Sequence, residues 1–177
     1  MAKFIVVTGA SKGIGRAAAD ALANDGWSVI GVARSSPGHF PGEFIEADLS
    51  DRAKTQTLAN HLAAHGHVLG IVNNVGLARH ETFGDVDPEV FATVMDLNVR
   101  PALQLTQALL PGMRSARFGR IINVTSLVTR GLAFRSSYAA AKAALESITR
   151  TMAIELASDG ITANAVAPGP TETVSFE

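Results

Sequence analysis

Phe4-Ile5-Val6-Val7-Thr8-Gly9-Ala10-Ser11-Lys12-Gly13-Ile14-Gly15 is the stretch from which the rest of the chain is read. It opens with a short apolar, β-branched run, which suits a central parallel strand buried on both faces. It ends in a glycine-rich turn, and an amphipathic helical pattern follows with Ala18, Leu22 and Ala23 toward the core. Strand, glycine turn and helix together make a phosphate cradle. Glycines allow a tight turn and close approach of backbone to ligand, and the helix N-terminus offers free N–H groups to an anion. The spacing G-x-x-x-G-x-G differs from the G-x-G-x-x-G of most dinucleotide folds. Without its flanks the same run would be a plain βα turn.

The remaining chain repeats this alternation. Ser28–Ala33, Glu43–Ala47, Val68–Val72, Arg120–Thr125 and Ile161–Ala167 read as further strands. Helices are expected from about Asp51 to His65, from Pro88 to Met95 and again over Ala102–Met113, and from about Ser137 to Ala157. A kink or restart near Val99 is expected, because Pro101 belongs in the first turn of a helix. Either Asp48 or Ser50 is expected to cap the Asp51 helix. Strands alternating with helices predict a doubly wound α/β sheet in a single domain spanning 1–177.

Composition narrows the function. The chain has 177 residues, 47% of them hydrophobic, which suits a globular domain with a sizeable core. A net charge of −1 argues against nucleic acid or an anionic membrane as partner. There is no cysteine, hence no disulfide and no thiolate chemistry, and a reducing cytoplasm is compatible. No apolar run is long enough for a membrane span, and Met1-Ala2-Lys3 leaves no room for a signal peptide. His61, His65 and His67 cluster at a helix end without a metal-binding arrangement and read as a solvated face; no metal is expected.

The chemistry-bearing residues lie late in the chain. Tyr138 and Lys142, in Ser136-Ser137-Tyr138-Ala139-Ala140-Ala141-Lys142, stand one turn apart on one helix face. A phenol with an ordinary pKa of roughly 10 is pulled toward working pH by a nearby ammonium. Ser126 closes a buried strand and reaches the same end of the sheet with its hydroxyl. A hydrolase built on Ser126 is disfavoured, because the G-x-S-x-G elbow is missing and no histidine follows.

Ser126 followed by Tyr138-x-x-x-Lys142, together with the glycine turn, Asn73-Asn74-Val75-Gly76 and Asn164-Ala165-Val166-Ala167-Pro168-Gly169, resembles the short-chain dehydrogenase/reductase family. Nearly the whole chain takes part in the resemblance. It implies a Rossmann-like sheet of order 3-2-1-4-5-6 and reversible hydride transfer between a nicotinamide and a carbonyl or alcohol. The implied catalytic set is Asn98, Ser126, Tyr138 and Lys142. The implied cofactor contacts are Gly9, Ser11, Lys12, Gly13, Ile14 and Gly15 in the glycine turn, then Arg34, Asp48, Leu49, Asn74, Val75 and Gly76. Tyr138, Lys142, Pro168, Gly169, Thr171 and Thr173 complete them, with Thr173 the better match for the threonine that holds the carboxamide. After strand two the chain has Arg34 instead of an acid, and a guanidinium suits a 2′-phosphate. With Lys12 nearby, this favours NADP(H) over NAD(H).

A 3-oxoacyl thioester is the leading substrate expectation, with other small carbonyls and alcohols open. An NAD-dependent alcohol dehydrogenase of the same family and a non-catalytic dinucleotide-binding protein are the alternatives. The resemblance also implies a homo-oligomer, dimer or tetramer, formed through the alanine-rich helix. The family usually continues into a substrate-covering helical segment and a seventh strand; neither follows Val174-Ser175-Phe176-Glu177, so the domain reads as incomplete at its C-terminus.

Overall fold

The computed structural model describes residues 3–171, and the structural statements below concern these. Six strands, β1 Phe4–Thr8, β2 Ser28–Ala33, β3 Gly42–Glu46, β4 Val68–Asn73, β5 Gly119–Val124 and β6 Ile161–Val166, form one sheet. All neighbouring pairs are parallel, in the order β3-β2-β1-β4-β5-β6. The helices α1 Gly13–Asn24, α2 Arg52–Ala64, α3 Pro88–Ala116 and α4 Ser136–Leu156 connect them. Sheet growth reverses between β1 and β4, so the loops leaving these two strands diverge and open a crevice at the carboxyl ends.

The two-residue period of the strands sorts the core into two layers. Val6, Ile30, Ile71 and Ile121 share one face and meet Leu58, Leu62, Leu105, Leu109, Met113 and Leu156 from α2, α3 and α4. Ile5, Val7, Val29 and Val72 share the other, where Ala19, Leu22 and Ala23 of α1 cover them. Each fully buried aliphatic contributes roughly 1.5–3 kcal/mol of transfer free energy. In α1 the deeply buried residue is Ala19, one position along from the expected Ala18.

Two expectations about helices are corrected. The cap of α2 is Asp51, whose carboxylate accepts from the amides of Ala53 and Lys54; Asp48 instead closes a local turn onto Ser50. The break near Val99 is absent: α3 is one helix of 29 residues running through Pro101 and Pro111. A proline removes one intrahelical bond at each point. Burial of Val94, Leu105, Leu109 and Met113 along the same helix keeps it continuous.

Polar side chains tie the carboxyl ends of the strands together. The Asn73 amide donates to Asn123 Oδ1 at 2.8 Å and to Thr106 Oγ1 at 3.2 Å, and Asn123 donates to Thr149 Oγ1 at 2.8 Å. This chain of bonds joins β4 and β5 to α3 and α4. At the β1 end, Thr8 Oγ1 accepts from the amides of Asn74 and Val75, and the Asn74 side chain donates to Thr8 O at 3.0 Å. Among the described residues no helix is long and apolar enough to cross a membrane.

Candidate active site

The crevice at the carboxyl ends is a cleft of about 1060 Å³. Its floor begins at the turn between β1 and α1. Gly9, Ser11, Lys12, Gly13 and Ile14 line it, while Gly15 lies beneath. A β-carbon at Gly15 would sit 2.3 Å from the Gly9 carbonyl oxygen and 2.5 Å from the Asn74 amide nitrogen, so only glycine fits. No side chain caps α1, and its first turn carries no acid. The free N–H groups and the positive end of the helix dipole therefore face the cleft without a protein partner, which suits an anion.

Arg34 and Lys12 line the same end and are exposed. Neither forms an ion pair among the described residues. Asp48 and Leu49 form the adjoining wall. Hydrogen bonds from the Ser50 amide and hydroxyl, with Arg34 and Lys54 nearby, hold the Asp48 carboxyl below its usual range. Leu49 is 3% exposed, and its carbonyl accepts from Arg100 at 2.9 Å, so α3 steadies this loop. Besides its one-turn partners Asp96 and Gln104, Arg100 reaches the Leu49 and Ser50 carbonyls about fifty positions away, a task no local pattern announces.

Asn74, Val75 and Gly76 line the middle of the cleft; Pro168, Gly169 and Thr171 line the far wall, where the Thr171 hydroxyl donates to Gly169 O at 3.0 Å. Thr173 lies outside the described residues. An anion-accepting end with unpaired cations, a glycine floor and a carboxylate wall together fit a phosphorylated dinucleotide.

Ser126, Tyr138 and Lys142 converge on the opposite end of the cleft. Ser126 follows β5 and opens the short 3-10 turn Leu127–Arg130. Its oxygen accepts from the Val128 amide at 3.4 Å, which leaves the hydroxyl proton available. Lys142 is 2% exposed and donates to the Val124 carbonyl at 2.8 Å. Burial lowers its pKa to about 8. A β-carbon at Gly76 would meet Asn98 Oδ1 at 2.7 Å and Lys142 Nζ at 3.2 Å, so both polar heads press on the floor from behind.

The electrostatics of Tyr138 differ from the sequence expectation. Burial raises the phenol pKa above its ordinary value; the Ser126 hydroxyl and the Arg135 guanidinium offset this in part. The Lys142 ammonium stands 5.6 Å from the ring centroid and is directed to Val124 O. The Arg135 guanidinium, three residues upstream, lowers the phenol pKa and also lines the cleft.

Asn98 is likewise more structural than expected. It does not line the cleft; its Nδ2 donates to Leu77 O at 2.9 Å and Val94 O at 2.8 Å, and its Oδ1 accepts from the Leu77 amide at 3.3 Å. Neither Ser136 nor Ser137 caps α4, whose cap position is Arg135 without a side-chain bond; Ser137 is instead bound to Glu81. Glu81 sits in a stretch that reads as polar loop, and no local pattern marks it as buried. His65 packs edge-on against Phe4 rather than standing in solvent. Among the described residues no three candidate ligands gather as a metal group.

Comparison with known proteins agrees with this geometry. The family model described as short chain dehydrogenase matches residues 3–177. The chain is 39% identical to the 3-oxoacyl-[acyl-carrier-protein] reductase FabG of Pseudomonas aeruginosa, covering 97% of this chain and 74% of that protein. It is 37% identical to the Escherichia coli FabG over the same shares. A short-chain dehydrogenase structure from Streptomyces avermitilis superposes with a TM-score of 0.91 at 35% identity, covering 99% of this chain and 68% of that one. A Beutenbergia cavernae structure, proposed to be an NAD(P) dependent gluconate 5-dehydrogenase and holding NADP at low occupancy, gives 0.91 at 32% identity, over 97% and 74% of the two chains. This chain belongs to the short-chain dehydrogenase/reductase family and is an NAD(P)-dependent oxidoreductase.

Proposed function

We propose that this chain, as one dinucleotide-binding domain, reduces a carbonyl with NADPH, and that its substrate is a 3-oxoacyl thioester. The observation that carries the reading is convergence: Ser126, Tyr138 and Lys142 line the same cleft as the uncapped start of α1. Arg34 and Lys12, exposed and without acidic partners among the described residues, support a 2′-phosphate over a bare ribose. Leu127 and Leu132, 44% and 58% exposed beside Tyr138, offer an apolar wall to an acyl chain. The names of the FabG relatives point to the same substrate class.

When bound, the reduced nicotinamide supplies a hydride to the carbonyl carbon. The Ser126 hydroxyl donates to the carbonyl oxygen and orients it. Tyr138 Oη gives its proton to that oxygen, and its raised pKa keeps the proton in place until then. Arg135 and Ser126 stabilise the phenolate left behind. Lys142 Nζ, which lines the cleft, is suited to hold a ribose hydroxyl, while Asn98 behind the Gly76 floor fixes the Leu77 backbone at its edge. Ile154, 80% exposed on α4, supports a homo-oligomeric contact through that helix.

Parallel fluorescence titrations with NADPH and NADH, followed by turnover on 3-oxoacyl thioesters and simple ketones, test the reading. Tighter NADPH binding and faster thioester reduction are expected. Tighter NADH binding with oxidation of simple alcohols would instead identify an NAD-dependent alcohol dehydrogenase.

A further inference from the structure

The two loops that wall the cleft beside Tyr138 are fastened to each other at several points. The Arg135 guanidinium donates to the Arg79 carbonyl at 3.0 Å. The Glu81 amide donates to the Phe134 carbonyl at 3.1 Å, and the His80 ring stacks on Phe134 at 4.8 Å. The Glu81 carboxylate then reaches the first turn of α4: the Ser137 hydroxyl donates to it at 2.7 Å and the Ser137 amide at 3.1 Å. Glu81 is 9% exposed and Ser137 fully buried. Phe134 holds a left-handed backbone with φ 63°, which a bulky side chain adopts only when its surroundings impose it.

We propose that Glu81 is a positioning residue for Tyr138, its carboxylate fixing the first turn of α4 and so the direction in which the phenol points. α4 has no side-chain cap of its own, so its opening amides need a partner from elsewhere. Glu81 supplies one from the connection between β4 and α3, and its negative charge suits the positive end of the helix. Ser137 is held at both its amide and its hydroxyl, and Tyr138 is the next residue. The other groups that act on the phenol are Ser126 from the end of β5, Arg135 at the start of α4 and Lys142 over the ring. None of them accepts from the Ser137 amide or hydroxyl, as Glu81 does. The catalytic meaning of this clamp rests on Tyr138 being the proton donor; the clamp itself can be tested separately.

Tyr138 is the chain's single tyrosine, so its ionisation can be followed by phenolate absorbance in rapid pH jumps, without cofactor or substrate. Glu81→Ala leaves Ser137 no acceptor, whereas Glu81→Gln keeps one oxygen. With far-ultraviolet circular dichroism unchanged, Glu81→Ala is expected to move the phenol midpoint down toward about 10 as the ring gains water. Glu81→Gln should stay nearer wild type. In turnover, kcat of Glu81→Ala should fall about tenfold with the KM for NADPH unchanged. A folded Glu81→Ala with the wild-type phenol midpoint overturns the proposal, even if it melts at a lower temperature. Should Glu81→Ala fail to fold, Ser137→Ala removes only the hydroxyl bond and must still lower the midpoint; no movement there overturns the proposal too. A wild-type chain that reduces no carbonyl would defeat the catalytic reading alone, and the phenol titration would still decide the role of Glu81.

Discussion

Lys142 Nζ donates to the Val124 carbonyl at 2.8 Å from a position 5.6 Å off the centre of the Tyr138 ring. The ammonium is therefore anchored to the end of β5 and buried, and burial lowers its pKa from 10.5 to about 8. Across that interval the folded chain binds fewer protons than the unfolded chain, so stability rises with pH and is lost as the pH falls toward 8. Tyr138 has the opposite sign, since its raised pKa gives stability present below 10 and lost as the pH climbs through the folded value. Chemical denaturation at pH 8 and pH 10 should show wild type gaining about 2 kcal/mol relative to Lys142→Met. Equal pH dependence in the two proteins would contradict the buried, charged lysine.

Gly15→Ala forces a β-carbon against the Gly9 carbonyl at 2.3 Å, a backbone atom with no room to retreat. The expected cost is about 1–3 kcal/mol of stability. Because the same displacement deforms the phosphate end of the cleft, NADPH affinity should drop about tenfold or more. Urea denaturation and fluorescence titration measure the two effects.

Arg34→Asp replaces an exposed guanidinium at the cleft by a carboxylate that repels a 2′-phosphate and accepts from ribose hydroxyls. A hydrogen bond to a charged group contributes about 1.5–3 kcal/mol. The ratio of kcat/KM for NADPH over NADH should therefore fall by about ten- to a hundredfold. An unchanged ratio would remove Arg34 from cofactor choice.

Asn123→Leu takes the central member out of the chain from Thr106 through Asn73 to Thr149. Asn73 already has a buried side-chain oxygen without a partner, so the site has little capacity to absorb another loss. About 1–3 kcal/mol of destabilisation is expected. It should appear as a lower urea midpoint at unchanged slope.

The sheet was legible because its signals are local and repeat. β-branched runs such as Phe4-Ile5-Val6-Val7, each bounded by glycine or a helical pattern, leave little choice of element. Many cleft-lining residues were legible for a related reason: Gly9, Arg34, Asn74 and Ser126 follow strand ends, while Tyr138 and Lys142 share a helix face one turn apart. The failures share a different origin. Pro101 predicts a kink or restart near Val99, yet packing along 29 residues of α3 outweighs one missing bond. Helical spacing puts Lys142 on the face of Tyr138, but it encodes neither the burial that raises the phenol pKa nor the Val124 carbonyl where the four-carbon stem ends. Glu81 binds Ser137 56 residues away, and Arg100, beyond its one-turn pairs with Asp96 and Gln104, binds carbonyls about 50 residues away, at distances no local pattern encodes.

Steady-state turnover of Tyr138→Phe on a 3-oxoacyl thioester, with NADPH binding measured on the same preparation, tests the central claim most directly. Loss of the phenol oxygen should lower kcat by about 10²–10⁴-fold while NADPH still binds. Turnover near the wild-type rate would contradict it, since the proton delivered to the carbonyl oxygen would then come from another group.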